Sequence, residues 1–430
     1  MNFKYKTRIG SARTSARGVT MSRLSKWTGT ALLFGVAGCS SFLEPKNPNL
    51  LDVNTVDPVN DATTLANSAQ QSYASALGWA IMHGAWFTGE ALVAETFPTR
   101  NEFGRRDVQS TNGSLSTDLW FPISQAASGS HLVLGLALPT PDTNINNVRA
   151  QTWLGYSFEL MAEFFCEGSV YSGPRLTTQN MLDSAVANFT KAIASGTANA
   201  TTAGVQLANV ARVGRARAYL QMGKKAEAIA DANLVPAGFS FNFNYVDDAG
   251  NRTRLNNRLW QFTSDRGSIS VSPLYQTFAD PRVKFKLPSQ HNLSAQDANA
   301  GPFVIQDKYP TFNSPIRVAS KLEADYIAAE AGSQADQLTL INARRTANGK
   351  PAYTGATTAA GVLAELMLQK AMDFFLEGQH MGDFRRNPAA VVGLPVAGST
   401  YFKPGFAPIG SQSCIVLPVT ETDNNPNFKK

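Results

Sequence analysis

The sequence predicts a mainly α protein in which tetratricopeptide-like helix pairs form a right-handed scaffold, joined to a large loop-rich region with a few short strands. Three observations lead there. Long stretches place Ala, Leu, Trp and Met at helical spacing, beginning near Asp61. Two successive segments combine small and aromatic residues in the pattern that helix pairs of this repeat class require. Between about Pro236 and Pro315 the texture changes to alternating aromatic and polar residues with many turn formers.

Taken in chain order, residues 1–38 read as a signal peptide. They carry Lys4, Lys6, Arg8, Arg13, Arg17, Arg23 and Lys26 and no acidic residue. A short apolar run from Thr30 to Val36 follows, then Ala37, Gly38 and Cys39. A basic start, a short apolar centre and small residues at the cut site define a secretory signal. The run is far shorter than the roughly 20 apolar residues a spanning helix needs. Val36-Ala37-Gly38-Cys39 also resembles the bacterial lipobox, which implies cleavage before Cys39 and lipidation of its thiol. The alternative is an ordinary secreted protein with a chance cysteine at the cut. A signal beginning at Met21 would also be complete. Residues 39–60, with Glu44-Pro45-Lys46-Asn47-Pro48-Asn49, read as a lipidated N-terminus and flexible tether. Residues 61–430 read as a single domain.

Charge follows the same division. The chain is +6; without the seven cations of 1–38 it is 6 − 7 = −1, which leaves no electrostatic footprint for nucleic acid. The remaining 430 − 38 = 392 residues suffice for a large core. Export permits a Cys166–Cys414 disulfide, but Cys166 falls in a helix-like and Cys414 in a strand-like segment, and two buried free thiols are the expectation here.

Helical patterning covers 61–96, with Asp61 placed to cap it, and about 115–137. Leu154-Gly155-x-x-Phe158 and Ala185-x-x-x-Phe189-x-x-Ala192 have the spacings of one helix pair. Small residues let the helices approach, and Phe fills the gap between pairs. Ala216, Tyr219, Gly223, Ala228 and Ala232 repeat the arrangement. Phe239-Ser240-Phe241-Asn242-Phe243-Asn244-Tyr245 alternates as a strand does, and 247–251 is a turn. Helices resume over 318–332, 333–347 and 357–378. Cys414 to Pro418 is a short apolar run in an irregular end.

Signals for catalysis are missing. The histidines are His83, His131, His291 and His380, none paired at metal-ligand spacing. No nucleophile elbow, P-loop or dinucleotide fingerprint occurs. Neither metal nor cofactor is expected. Trp260, Tyr275, Tyr309, Tyr401 and Phe402 lie in irregular regions rich in Asn, Arg and Gln, where ring faces and polar side chains suit sugar or peptide groups. They are the candidate ligand-binding residues; the blander reading of each is packing beneath a loop.

Four blocks then add a resemblance. They are Glu323-Ala-Asp325-Tyr326 through Glu330-Ala331; Leu340-Ile-Asn342-Ala-Arg344-Arg345 to Gly349; Asp373 to Glu377-Gly378-Gln379-His380 and Asp383-Phe384-Arg385-Arg386; and Val416-Leu-Pro418 to Glu421 and Asn425-Pro426-Asn427. In this order they resemble the SusD/RagB family of nutrient-binding outer-membrane lipoproteins, as does Phe42-Leu43-Glu44-Pro45 after the lipobox. Gln369-Lys370 and His380 depart from the family's usual Glu-Arg and Arg. The third block, read by its residues, is a locked corner of acids and arginines with a structural role. The resemblance implies a SusD-like fold and a lipid anchor at Cys39 in the outer membrane, facing the cell exterior. It also implies passive binding of oligosaccharide or peptide for a SusC-like TonB-dependent transporter, with no bond broken. The family binds through variable loops, so no site residue carries over. A surface glycan hydrolase and a helical-repeat assembly lipoprotein remain the alternatives.

Overall fold

The computed structural model describes residues 56–57, 59–248, 250 and 255–428. The expected signal peptide, Cys39, most of the expected tether and part of the 247–251 turn lie outside them. From Asp57 onward the chain forms one unit.

Helix α1 (Ala62–Thr88) is Ala-rich and almost wholly buried in its second half. It ends eight residues before the sequence expectation because Gly89 takes φ 80°. Strand β1 (Ala91–Val93) and helix α2 (Pro98–Gly104) occupy the chain beyond. Asp61 does not cap α1; its carboxylate accepts instead from the Asp57 amide at 2.9 Å. A π-turn at Leu115–Trp120 leads into α3 (Phe121–Leu134).

The predicted helix pairs are present. They are α4 (Ile145–Phe164) with α5 (Thr178–Asn199), and α6 (Thr202–Gln221) with α7 (Lys225–Asn233). The strands β2 (Glu167–Gly168) and β3 (Leu176–Thr177) close the loop inside the first pair. Thr177 and Asn180 form a capping box on α5, and the Thr201 hydroxyl accepts from Gly204 N at 3.1 Å on α6. Phe189 of α5 is fully buried against Gly155 of α4 and Gly214 of α6. A Cβ on Gly155 would stand 2.7 Å from that ring, so the helix approach depends on the glycine.

The loop-rich region contributes β4 (Ser240–Phe243), α8 (Arg258–Trp260), β5 (Ile269–Val271), α9 (Pro273–Thr277), β6 (Phe285–Lys286), β7 (Ile305–Gln306) and β8 (Ile316–Ser320). These strands pair antiparallel: β1 with β5, β4 with β8, β6 with β7. Leu259, Phe262, Ile269, Val271 and Tyr275 sink into the same core as α1 and α4. The chain closes with α10 (Lys321–Ala331), α11 (Gln334–Ala347), α12 (Ala359–Asp373), α13 (His380–Arg386) and α14 (Val419–Asn424). Helix α12 stops five residues before the expected 378; Leu376 (φ 54°) and Gly378 (φ 84°) turn the backbone left-handed.

The expectation of two free thiols is also overturned: Cys166 and Cys414 form a disulfide, with Cα atoms 5.1 Å apart. The cause is tertiary. Cys166 N donates to Ile415 O at 3.0 Å and Ile415 N to Phe164 O at 2.8 Å, which lays the C-terminal run beside the end of α4.

The third block is a locked corner. Lys370 Nζ donates to Asp383 at 2.6 Å, and Arg386 grips Glu330 at 2.8 Å and Asp383 at 2.5 Å. Arg385 caps the end of α4, donating to the carbonyls of Ala162, Glu163 and Phe165 at 3.0–3.3 Å. Lys370 does the pairing at the departure from the family pattern. His380 is buried with Nε2 2.8 Å from Val392 O, and burial lowers its pKa.

Candidate functional site

Strand β4 has a different chemistry on each face. Phe241 and Phe243 pack on Trp153, at ring distances of 5.7 and 4.9 Å, and the Tyr245 hydroxyl donates to Ala74 O at 3.0 Å. The alternate residues Ser240, Asn242 and Asn244 are exposed. They face a trough of about 620 Å³ whose other wall comes from α1 and α6. Helix α1 supplies Asn67, Gln70 and Gln71, at i, i+3 and i+4 and therefore on one face; α6 supplies Gln206. Six amides thus converge on one cavity. Those of Asn67, Gln206, Asn242 and Asn244 make no hydrogen bond among the described residues. Gln70 is held by the Trp153 indole at 3.1 Å. Each amide offers two donors and one acceptor oxygen, which matches a surface of hydroxyl groups.

A second cleft, of about 800 Å³, shares Ser240 and Asn242 with the trough. In the β4–β8 register Asn242 stands opposite Arg317. The β6–β7 ribbon brings Lys284 and Lys308, and the ends of α11 and α12 bring Arg344 and Asp373. The acids here are heavily engaged. Asp373 takes a bidentate contact from Arg344 at 2.7 and 2.8 Å, with Arg282 3.1 Å away. Glu377 takes Lys308 at 2.6 Å and Arg317 at 2.9 and 3.1 Å. No oxygen of either carboxylate is left without a cation. Burial pulls the Lys308 ammonium below its usual pKa, against the opposing pull of Glu377.

The five aromatic candidates are not gathered into one site. Tyr275 is fully buried, its ring 5.3 Å from Phe375. Trp260 is half-buried with its ring centre 3.8 Å from that of Phe312. Tyr309 lines the basic cleft, but its hydroxyl is spent on Leu376 O at 2.9 Å. Tyr401 and Phe402 line a separate apolar cleft of about 170 Å³; the Tyr401 hydroxyl donates to Asn101 at 2.9 Å, and Phe402 is 38% exposed. The amides were the signal missed: Asn67, Gln70 and Gln71 stand at helical spacing on an Ala-rich helix, and Asn242 and Asn244 on the polar phase of the aromatic strand.

Among the described residues, no group of three or more His, Cys, Asp or Glu is arranged to hold a metal ion. No helix among them is long and apolar enough to cross a membrane.

The architecture is SusD-like. A laminarin-binding SusD-like protein matches with TM-score 0.63 and 12% identity, over 84% of this chain and 98% of the other. A SusD superfamily protein from Bacteroides thetaiotaomicron matches with TM-score 0.62 and 14% identity, over 87% and 99%. Surface glycan-binding protein A from Bacteroides uniformis matches with TM-score 0.59 and 13% identity, over 84% and 98%. At such identities the likeness is one of fold. No protein-family model matches the chain, and no curated protein matches it in sequence.

Proposed function

We propose that this protein is a surface lipoprotein of the outer membrane, anchored through Cys39, that binds a glycan and delivers it without chemistry to a SusC-like TonB-dependent transporter. The trough of six amides carries this reading. The amide donors and acceptors of Asn67, Gln206, Asn242 and Asn244 are placed to meet hydroxyl-rich ligands, on a fold whose solved relatives include glycan- and laminarin-binding proteins. A peptide is the lesser alternative, because the trough is lined mainly by amides, with Ala74, Phe241 and Phe243 as its apolar members. The hydrolase reading is weakened by Asp373 and Glu377, the acids of the adjoining cleft, whose oxygens are all held by cations. The assembly-protein reading expects a small or disordered loop region, whereas here that region shares the main core.

Calorimetric titration of the full chain with β-glucan, xylan and mannan oligosaccharides and with mixed peptides tests the reading. Asn242→Ala and Gln206→Ala should each weaken glycan binding about fivefold, the equivalent of one net hydrogen bond of ~1 kcal/mol. Hydrolysis of a glycan, or binding of peptides alone, would overturn it. Cys39→Ala should release the chain from membranes, and co-purification from membranes should recover a large barrel protein.

A further inference from the structure

We infer that the glycan is acidic: the cleft beside the amide trough is an anion subsite for a carboxylate or sulfate group on the saccharide. The inference rests on the glycan reading and adds the charge class of the ligand. Five cations, Arg282, Lys284, Lys308, Arg317 and Arg344, meet three acids, Asp280, Asp373 and Glu377, a local balance of 5 − 3 = +2. The chain beyond residue 38 sums to −1, so this cleft is more positive than the chain average.

The acids fix the cations in place without cancelling them. Glu377 is shared by Lys308 and Arg317, and Asp373 by Arg344 and Arg282. Arg282 Nη1 makes no hydrogen bond although its side chain is only 9% exposed; it merely stands 3.1 Å from Asp373. Lys284 is exposed at the rim and has no ion pair among the described residues. An anion entering here would meet prepositioned guanidinium groups, which suit carboxylate and sulfate oxygens. Continuity with the trough selects a saccharide as its carrier. Ser240 and Asn242 border both cavities, so one oligomer can lay its hydroxyls on the amides and its acidic group against Arg317 and Lys284.

Titration of the full chain with matched pairs tests this: oligogalacturonate against its methyl ester, and a sulfated galactan oligomer against its desulfated form, with sodium sulfate alone as a further arm. The acidic member of at least one pair should bind tenfold or more tightly at 50 mM NaCl, with the gap closing at 500 mM as screening sets in. Lys284→Glu should lower the acidic oligomer's affinity at least tenfold, and Lys284→Gln by less. Both sit at an exposed position, and circular dichroism checks their fold. Which pair responds separates carboxylate from sulfate. Equal, salt-independent binding within both pairs overturns the anion subsite while leaving the glycan reading standing. Sulfate bound alone, and lost in Lys284→Glu, upholds the subsite and overturns its saccharide occupant. Binding of nothing overturns both.

Discussion

Gly155 and Phe189 should behave as a coupled pair with a change of sign. Alanine in place of a mid-helix glycine ordinarily stabilises by about 0.5–1 kcal/mol. At Gly155 the added Cβ meets two atoms of the Phe189 ring at 2.7 Å, and the ring has nowhere to go because Gly214 holds its other side. Overpacking of this kind costs about 1–3 kcal/mol, so Gly155→Ala should destabilise the native chain by roughly 0–2 kcal/mol. Phe189→Ala alone should cost about 3–5 kcal/mol, since the ring is fully buried. In that background the overlap is gone and Gly155→Ala should stabilise by about 1 kcal/mol. The coupling of ~1–3 kcal/mol is readable from urea midpoints followed by far-UV circular dichroism at constant m-value. If Gly155→Ala stabilises both backgrounds alike, the glycine is not there to admit the ring, and the account of the helix pair is wrong.

Other consequences are as direct. A thiol assay on the unreduced, unfolded chain should find neither Cys166 nor Cys414 free, and Cys166→Ala with Cys414→Ala should cost about 3–5 kcal/mol, given the 248-residue separation. Lys370→Met should cost about 3–5 kcal/mol, because it leaves the buried Asp383 and Glu330 to share Arg386 alone; chemical denaturation measures it. Glu90 is buried, and desolvation lifts its carboxyl to about 8. Its folded value lies above the unfolded one, so the folded state keeps the proton and stability falls as pH rises from about 4.5 to about 8. Glu90→Gln should flatten that part of the profile, and a variant with unchanged slope would refute the assignment.

Much of the fold was legible because its causes are local. The helix pairs show in the spacing of Gly155, Phe189, Ala185 and Ala192, since a helix face repeats at fixed intervals. Strand β4 (Ser240–Phe243) shows in the two-residue alternation of residues 239–245. Helix ends were less legible. Gly89 stops α1 by adopting left-handed backbone, and α12 ends where Phe374 leaves the helical region, ahead of the left-handed Leu376; a single residue's backbone choice leaves no periodic trace.

The site was legible only in part. Tyr309, Tyr401 and Phe402 do reach cavity walls, while Tyr275 is core; an aromatic residue in a loop has the same sequence signature in either place. The amides were visible one element at a time, on α1, α6 and β4, with nothing in the chain to say that the three would meet.

The sequence by itself determined the basic and apolar patterning of residues 1–38, the helical scaffold, the small residues that admit close packing and the near-neutral charge beyond residue 38. Tertiary structure alone decided that Cys166 reaches Cys414, that β4 pairs with β8, that Asn242 stands beside Arg317, and that five cations gather around three acids. Periodicity and propensity act over a few residues. These contacts join segments far apart in the chain, and their geometry is set by which surfaces can be buried together.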